Sequence, residues 1–225
     1  MSKTCIQVQN INFKYPRGRQ IFEGFSCEFE EGKIYGLVGK NGAGKTTLGK
    51  LILNLIKIDS GSISIGEKDI QKMSLGEIGQ CIGYVFQDPS RQLFSASVYE
   101  ELAFPLLLQG VPESEVKTIV EEQLQRFGLL ECKDRFPFYL SQGEKQRLVI
   151  AGILLRSPKF LILDEPTTAL DAIRKENLKK LLIDMNQKEN IGIIVISHDY
   201  RFLGELEARL LEVSKADLKE VKAYE

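Results

Sequence analysis

Nine consecutive residues, Gly39-Lys40-Asn41-Gly42-Ala43-Gly44-Lys45-Thr46-Thr47, fit the spacing G-x-x-x-x-G-K-[ST]. Residues of these types at this spacing suit a chain of phosphates. Glycines let the backbone curl until its N–H groups converge on phosphate oxygens, and the start of a following helix adds a favourable dipole. In such a loop Gly39, Asn41, Gly42 and Gly44 form the cradle, Lys45 reaches the β- and γ-phosphates, the Thr46 hydroxyl is a ligand of Mg²⁺, and Thr47 bonds on the α-phosphate side. A glycine-rich turn that merely caps a helix is the competing reading. The flanks weigh against it, because the apolar run Ile34–Val38 leads in and an amphipathic helical stretch leads out.

A second group of acids fits the same chemistry. The apolar run Phe160-Leu161-Ile162-Leu163 ends in Asp164 and Glu165, which suits an aspartate holding Mg²⁺, directly or through water, followed by a glutamate that polarises the attacking water. Read alone, Asp-Glu-Pro is also an ordinary solvated strand end, since Pro166 and Thr167 follow. The one histidine, His198, stands just past the apolar run Ile193–Ile196, where parallel sheets bind ligands; a lone histidine is otherwise usually structural or exposed. At that place a neutral imidazole bridges the γ-phosphate and Glu165 and holds them in line.

A further candidate anion site lies in Leu140-Ser141-Gln142-Gly143-Glu144-Lys145-Gln146-Arg147. Ser141 with Glu144 three residues on reads as a capping box, while Gly143 costs helix stability and leaves backbone N–H groups accessible to a phosphate. Both readings hold together. Two phosphate-binding ends in a chain with one nucleotide loop imply that each end serves a different protomer's ATP.

Around these residues the elements follow a regular order. The first thirty residues alternate apolar and polar positions, as in Ile6-Val8 and Phe25-Cys27-Phe29, the period of half-exposed antiparallel strands. The later runs 34–38, 160–163 and 193–196 are continuous and branched, as strands covered on both faces are, and a further strand is read at Ile82–Phe86. Helical stretches fall at roughly 45–57, 98–109, 113–127, 142–156 and 173–189. The expected fold is α/β: a mainly parallel sheet core, an N-terminal antiparallel β-subdomain and an inserted α-helical subdomain. Residues 1–225 read as one domain, with 1–90 and 157–225 forming the core with its β-subdomain and 91–156 the helical insertion.

Composition sets the outer bounds. With 225 residues, 43% of them hydrophobic, and 30 Lys+Arg against 31 Asp+Glu, the chain is an ordinary globular one, and its net charge of −1 offers no basic field for a nucleic-acid backbone. No nucleic-acid partner is expected. The longest apolar run, Leu148–Leu155, is far short of the ~20 residues of a membrane span, and the N-terminus has no secretion signal, so the cytoplasm is expected. Cys5, Cys27, Cys81 and Cys132 form no C-x-x-C pair and read as reduced, mostly buried thiols.

Taken in order, these motifs resemble the nucleotide-binding domain of ABC transporters, and the resemblance spans nearly the whole chain. Tyr15 resembles the aromatic that stacks on adenine, although a packing residue before Pro16 is the alternative. Residues 39–47 resemble Walker A, Gln87 the Q-loop glutamine, 141–146 the signature, 160–165 Walker B with its catalytic glutamate, Ala169-Leu170-Asp171 the D-loop and His198 the switch histidine. The resemblance implies ATP and Mg²⁺ as ligands and an ATPase with Glu165, His198, Lys45 and Gln87 as catalytic residues. Gln87 would also sense Mg²⁺ and link the site to the membrane partner. It implies a second ATPase subunit, homologous or identical, paired head to tail so that Ser141 and Gly143 close on the other's ATP. It implies integral membrane subunits too, with the chain peripheral on the cytoplasmic face of the membrane. Gln87 to Phe94 and Val98 to Phe104 are similar to the ATPases of energy-coupling-factor importers of vitamins or transition-metal ions. Those ATPases often run longer, so the likeness implies a missing C-terminal extension. Gln142 and Glu144 depart from the usual LSGGQ and put one site's activity in question. Two other readings stay open: a catalytically weakened partner in a heterodimer, and a soluble ABC-type ATPase outside transport.

Overall fold

The alternating N-terminal segment pairs as its period requires. In the computed structural model, which describes residues 5–16, 18–168 and 170–221, β1 (Cys5–Lys14) runs antiparallel to β2 (Gln20–Glu30), with Ile6 opposite Phe29 and Val8 opposite Cys27. Ile6, Val8, Phe25 and Phe29 turn inward and are fully buried. After β3 (Ile34–Val38) and α1 (Lys45–Ile52), β4 (Ser60–Ile65) and the short β5 (Lys68–Asp69) complete a four-stranded antiparallel sheet in the order β2-β1-β4-β5.

The continuous apolar runs form the second sheet. Its strands are β3, β6 (Ile82–Val85), β7 (Phe160–Asp164), β8 (Gly192–Ile196), β9 (Arg209–Val213) and β10 (Leu218–Glu220), in the order β10-β9-β3-β8-β7-β6. All neighbours are parallel except β9 and β10. Burial on both faces explains why these runs do not alternate. Leu161, Leu163, Ile193 and Val195 enter the core beneath the helices, while Phe160, Ile162, Ile194 and Ile196 enter the core shared with α1 and the antiparallel sheet.

Helices α2 (Leu75–Cys81), α3 (Val98–Leu108), α4 (Glu113–Arg126), α5 (Gln142–Leu154), α6 (Ala172–Glu189) and α7 (Tyr200–Glu205) complete the order. Among the described residues no strand lies between β6 and β7. Three expectations need correction, and two helices were not anticipated. The helix read at 45–57 stops at Ile52, because Asn54 takes a left-handed conformation (φ 56°) and gives its amide to the Ile70 carbonyl at 3.0 Å. The strand read to Phe86 ends at Val85; the Phe86 N–H donates instead to Gln92 Oε1 at 2.8 Å. Helices α2 and α7, of 7 and 6 residues, are too short to show a period in sequence. All four cysteines are free, yet only Cys132 is buried, the other three being half-buried.

Candidate nucleotide and hydrolysis site

The loop after β3 takes its shape from its glycines. Gly39, Gly42 and Gly44 have φ of 131°, 75° and 107°, a region that other residues enter only with strain. Gly44 has a second constraint, since a Cβ there would fall 2.7 Å from Ile21 Cγ2 and 2.8 Å from Phe22 Cζ. Gly44 is also the N-cap of α1 and supplies no side-chain cap, and the first turn carries no acid. The leading N–H groups of α1 are therefore left for an anion.

Lys45 folds back over this loop. Its Nζ donates to the carbonyls of Gly39 (2.8 Å) and Lys40 (3.3 Å) and lies 3.2 Å from His198 Nε2. Burial lowers the pKa of this ammonium, and the nearby Glu165 and Asp164 carboxylates work in the opposite direction. On the facing side His198 Nε2 is 3.5 Å from Glu165 Oε1. Glu165 follows β7 with a φ of 48°, held there by its N–H donating to the Ile196 carbonyl of β8 at 2.8 Å. Such a backbone costs roughly 1–3 kcal/mol and is characteristic of working sites.

Behind these groups Asp164 is almost fully buried and uses both oxygens. Thr46 Oγ1 donates to Oδ1 at 3.1 Å and the Tyr84 hydroxyl donates to Oδ2 at 2.9 Å. Burial, and then the charge of Asp164, raise the Tyr84 pKa, so the phenol stays protonated and acts as donor. Among the described residues no group of three or more His, Cys, Asp or Glu side chains converges. A metal ion here would rest on a hydroxyl, a carboxylate and phosphate oxygens, a hard-oxygen set that fits Mg²⁺.

In front of Asp164 and Tyr84, the loop, Glu165 and His198 border an open pocket of about 530 Å³. Asn41, Gly42, Gly44, Lys45, Thr46 and Thr47 form one wall; Gln87, Glu165, His198 and Thr168 form the other. Gly39 lies under the loop against β9, its Cβ position 3.3 Å from the Val213 carbonyl. Tyr15 is at the margin, its hydroxyl 3.2 Å from Thr47 Oγ1 and its ring edge-on to Phe13 at 4.9 Å.

Ser141 and Gly143 are not among the residues that line this pocket. Gly143 lines a smaller cavity with Arg126, Arg147 and Arg174, and a Cβ on it would meet Arg174 Cδ at 3.2 Å, so packing also favours glycine there. Ser141 caps α5 in the anticipated box: Glu144 Oε2 accepts from the Ser141 N–H at 2.7 Å and Ser141 Oγ accepts from the Glu144 N–H at 3.4 Å. Gln146 ties α5 to the turn after Glu165 by donating to the Pro166 carbonyl at 3.0 Å. Leu170 and Asp171 lead into α6, with Asp171 Oδ1 accepting from the Arg174 N–H; Ala169, read with them, lies outside the described residues.

Three contributors went unread in the sequence. Tyr84 holds Asp164, Gln92 donates to the Tyr84 carbonyl at 2.8 Å and so fixes the segment carrying Gln87, and Arg19 donates to the Gly42 carbonyl at 2.6 Å. Only Tyr84 left a signal, since a phenol within a buried strand needs a hydrogen-bond partner.

A parallel strand, a glycine loop, an uncapped helix opening on Lys-Thr, and a neighbouring strand ending in acids define a P-loop nucleotide-binding fold. The family profile described as ABC transporter matches residues 22–168. The chain is 37% identical over 201 residues to the energy-coupling factor transporter ATP-binding protein EcfA3 of Clostridium perfringens, covering 88% of this chain and 70% of that one. It is 36% identical over 215 residues to the energy-coupling factor transporter ATP-binding protein EcfA of Methanothermobacter thermautotrophicus, covering 95% and 69%. The solved structure of cbiO1 from Clostridium perfringens, described as part of the ABC transporter complex cbiONQ, superposes with a TM-score of 0.86 at 33% identity, covering 97% of this chain and 88% of that one. The chain belongs to the ABC transporter family, as one of its ATP-binding, ATP-hydrolysing members.

Proposed function

We propose that the chain is the ATPase subunit of an energy-coupling-factor importer of a vitamin or transition-metal ion, working at the cytoplasmic face of the membrane beneath separate integral subunits. The observation that carries this reading is the convergence of Lys45, His198 and Glu165 in one pocket, with Lys45 Nζ 3.2 Å and Glu165 Oε1 3.5 Å from His198 Nε2. In it, Lys45 and the N–H groups of residues 39–47 bind the triphosphate, Tyr15 stacks on adenine, and Thr46, Asp164 and Gln87 hold Mg²⁺. Bound Mg²⁺ supplies Lewis-acid neutralisation of charge on the phosphoryl oxygens. Glu165 accepts a hydrogen bond from the attacking water and so polarises it, and His198 fixes that carboxylate and the γ-phosphate in line. Ser141 and Gly143 serve the ATP of a second, head-to-tail ATPase subunit, which agrees with their place outside the chain's own pocket.

The membrane partner has a suitable surface. Phe94, Phe104 and Leu108 are exposed around an apolar groove of about 300 Å³ between α3 and α5, with Gln92, which braces the Gln87 segment, in its wall. No helix among the described residues is long and apolar enough to cross a membrane, so a transport path needs other subunits. Residues 91–156 act in this reading as a helical subdomain that carries the partner's contact toward the site.

The weakened-subunit alternative is favoured by one feature, Gln142 at the start of α5. Glu144 weighs against it, because its carboxylate turns back onto Ser141 N–H instead of facing outward. The test is Glu165→Gln: turnover falls by roughly 10²–10⁴-fold while ATP still binds. Unchanged hydrolysis removes Glu165 from its role, and steady-state ATPase of the unsubstituted chain decides between motor and weakened partner.

A further inference from the structure

The segment just ahead of α5 presents three aromatic rings to solvent. Phe136, Phe138 and Tyr139 are 41%, 44% and 84% exposed. Phe136 lies 5.2 Å from Phe138 and 5.6 Å from Tyr139, ring centre to ring centre, on a 3-10 turn over Pro137–Tyr139. Lys145 Nζ sits 5.8 Å from the Phe138 ring centre, which sets that ring alongside the first turn of α5. The local charge is cationic in effect. Arg147 and Arg135 both act on Glu144, whose carboxylate is already engaged by Ser141, while Lys145 has no ion pair among the described residues.

Exposed rings beside cationic groups are the chemistry of nucleotide recognition, with the base on a π-face and phosphates near the cations. At the margin of the chain's own pocket Tyr15 touches Thr47 of the loop, and its ring makes a T-shaped pair with Phe13. A base resting on Tyr15 keeps its other face open. We propose that Tyr139, backed by Phe136 and Phe138, stacks on the base of the ATP held by a second copy of this chain. The inference rests on the head-to-tail reading and adds to it a residue set that reads the base rather than the γ-phosphate. It makes closure of the pair depend on a nucleobase and not on the triphosphate alone.

The test uses the full chain carrying Glu165→Gln as parent, with dimer formation followed by sedimentation velocity as ATP·Mg²⁺ is raised. Adding Tyr139→Ala raises the ATP concentration for half-maximal dimerisation roughly tenfold or more, and Tyr139→Phe restores it. The affinity of the dilute, monomeric chain for ATP is the folding control. With inorganic tripolyphosphate and Mg²⁺ in place of ATP there is no base to stack on, so parent and Tyr139→Ala behave alike. The proposal is overturned if Tyr139→Ala dimerises at the parent's ATP concentration, or if its deficit is equal with tripolyphosphate. It is also overturned if the only defect is loss of co-purifying integral subunits, which assigns the rings to the membrane partner. A parent that stays monomeric at saturating ATP refutes the head-to-tail pairing itself, a result distinct from a parent that dimerises and a Tyr139→Ala variant that does so equally well.

Discussion

Replacing Tyr84 by Phe removes one hydroxyl and little else. The ring is wedged between Gly49, whose Cβ position is 2.9 Å from Tyr84 Cε2, and Phe86, 5.1 Å away centre to centre, so the phenylalanine ring keeps its place. What is lost is the 2.9 Å bond to Asp164 Oδ2, leaving a buried carboxylate oxygen with no donor while Oδ1 keeps Thr46. Stranding such an acceptor costs about 1–3 kcal/mol. For a chain of this size each kcal/mol is worth about 2–4 °C, so a loss near the middle of that range lowers Tm by about 4–8 °C. Chemical denaturation of the ligand-free chain measures the first number. A Mg²⁺ titration of ATP binding measures the functional one, with half-saturation shifting to higher Mg²⁺ because the carboxylate is no longer held toward Thr46. If unfolding changes by less than about 0.5 kcal/mol, the span of an ordinary surface substitution, and the Mg²⁺ dependence is unaltered, the reasoning about Asp164 is wrong.

Three other outcomes follow from the same geometry. Gly44→Ala places a Cβ 2.7 Å from Ile21 Cγ2 at a φ of 107°, so it costs roughly 1–3 kcal/mol and abolishes ATP binding, as calorimetry with ATP would register. Glu144 has its pKa lowered chiefly by its hydrogen bond with Ser141. Its contribution to stability is therefore complete above its ordinary value of 4.5 and fades as pH falls through the lower folded value, so Glu144→Gln is less stable than the unsubstituted chain at pH 7 and the gap narrows as pH falls below 4.5; a gap that stays constant as the carboxylate is protonated contradicts the assignment. Phe104→Glu puts a charge in the apolar groove between α3 and α5 and is expected to stop co-purification of integral subunits while ATP binding persists.

The parts of the site legible in sequence are those contiguous along the chain. Residues 39–47 announce a phosphate loop because the loop, its strand and its helix are neighbours in sequence, and Asp164-Glu165 stand out because they end an apolar run. What brings them to one pocket is lateral register: Leu37 and Asp164 both pair with Ile196, so β8 is the ruler between β3 and β7 and carries His198 to the same edge. Periodicity cannot supply that register, although branched runs imply a buried parallel sheet. Tyr84 and Arg19 act through single hydrogen bonds to residues 80 and 23 positions away, and Gln92 through two bonds to backbone groups of the preceding strand end, and such bonds leave no spacing to read. The overlong first helix has a similar cause, because Asn54 is bound to Ile70, a residue sixteen positions away that helix propensity does not see.

The most direct measurement is a crystal structure of the Glu165→Gln chain grown with ATP and Mg²⁺. The account predicts the triphosphate wrapped by the amides of residues 39–47 beneath Lys45, with the cation against Thr46 and on the Asp164 side. A nucleotide bound elsewhere, or residues 164 and 165 turned away from the phosphates, would contradict it.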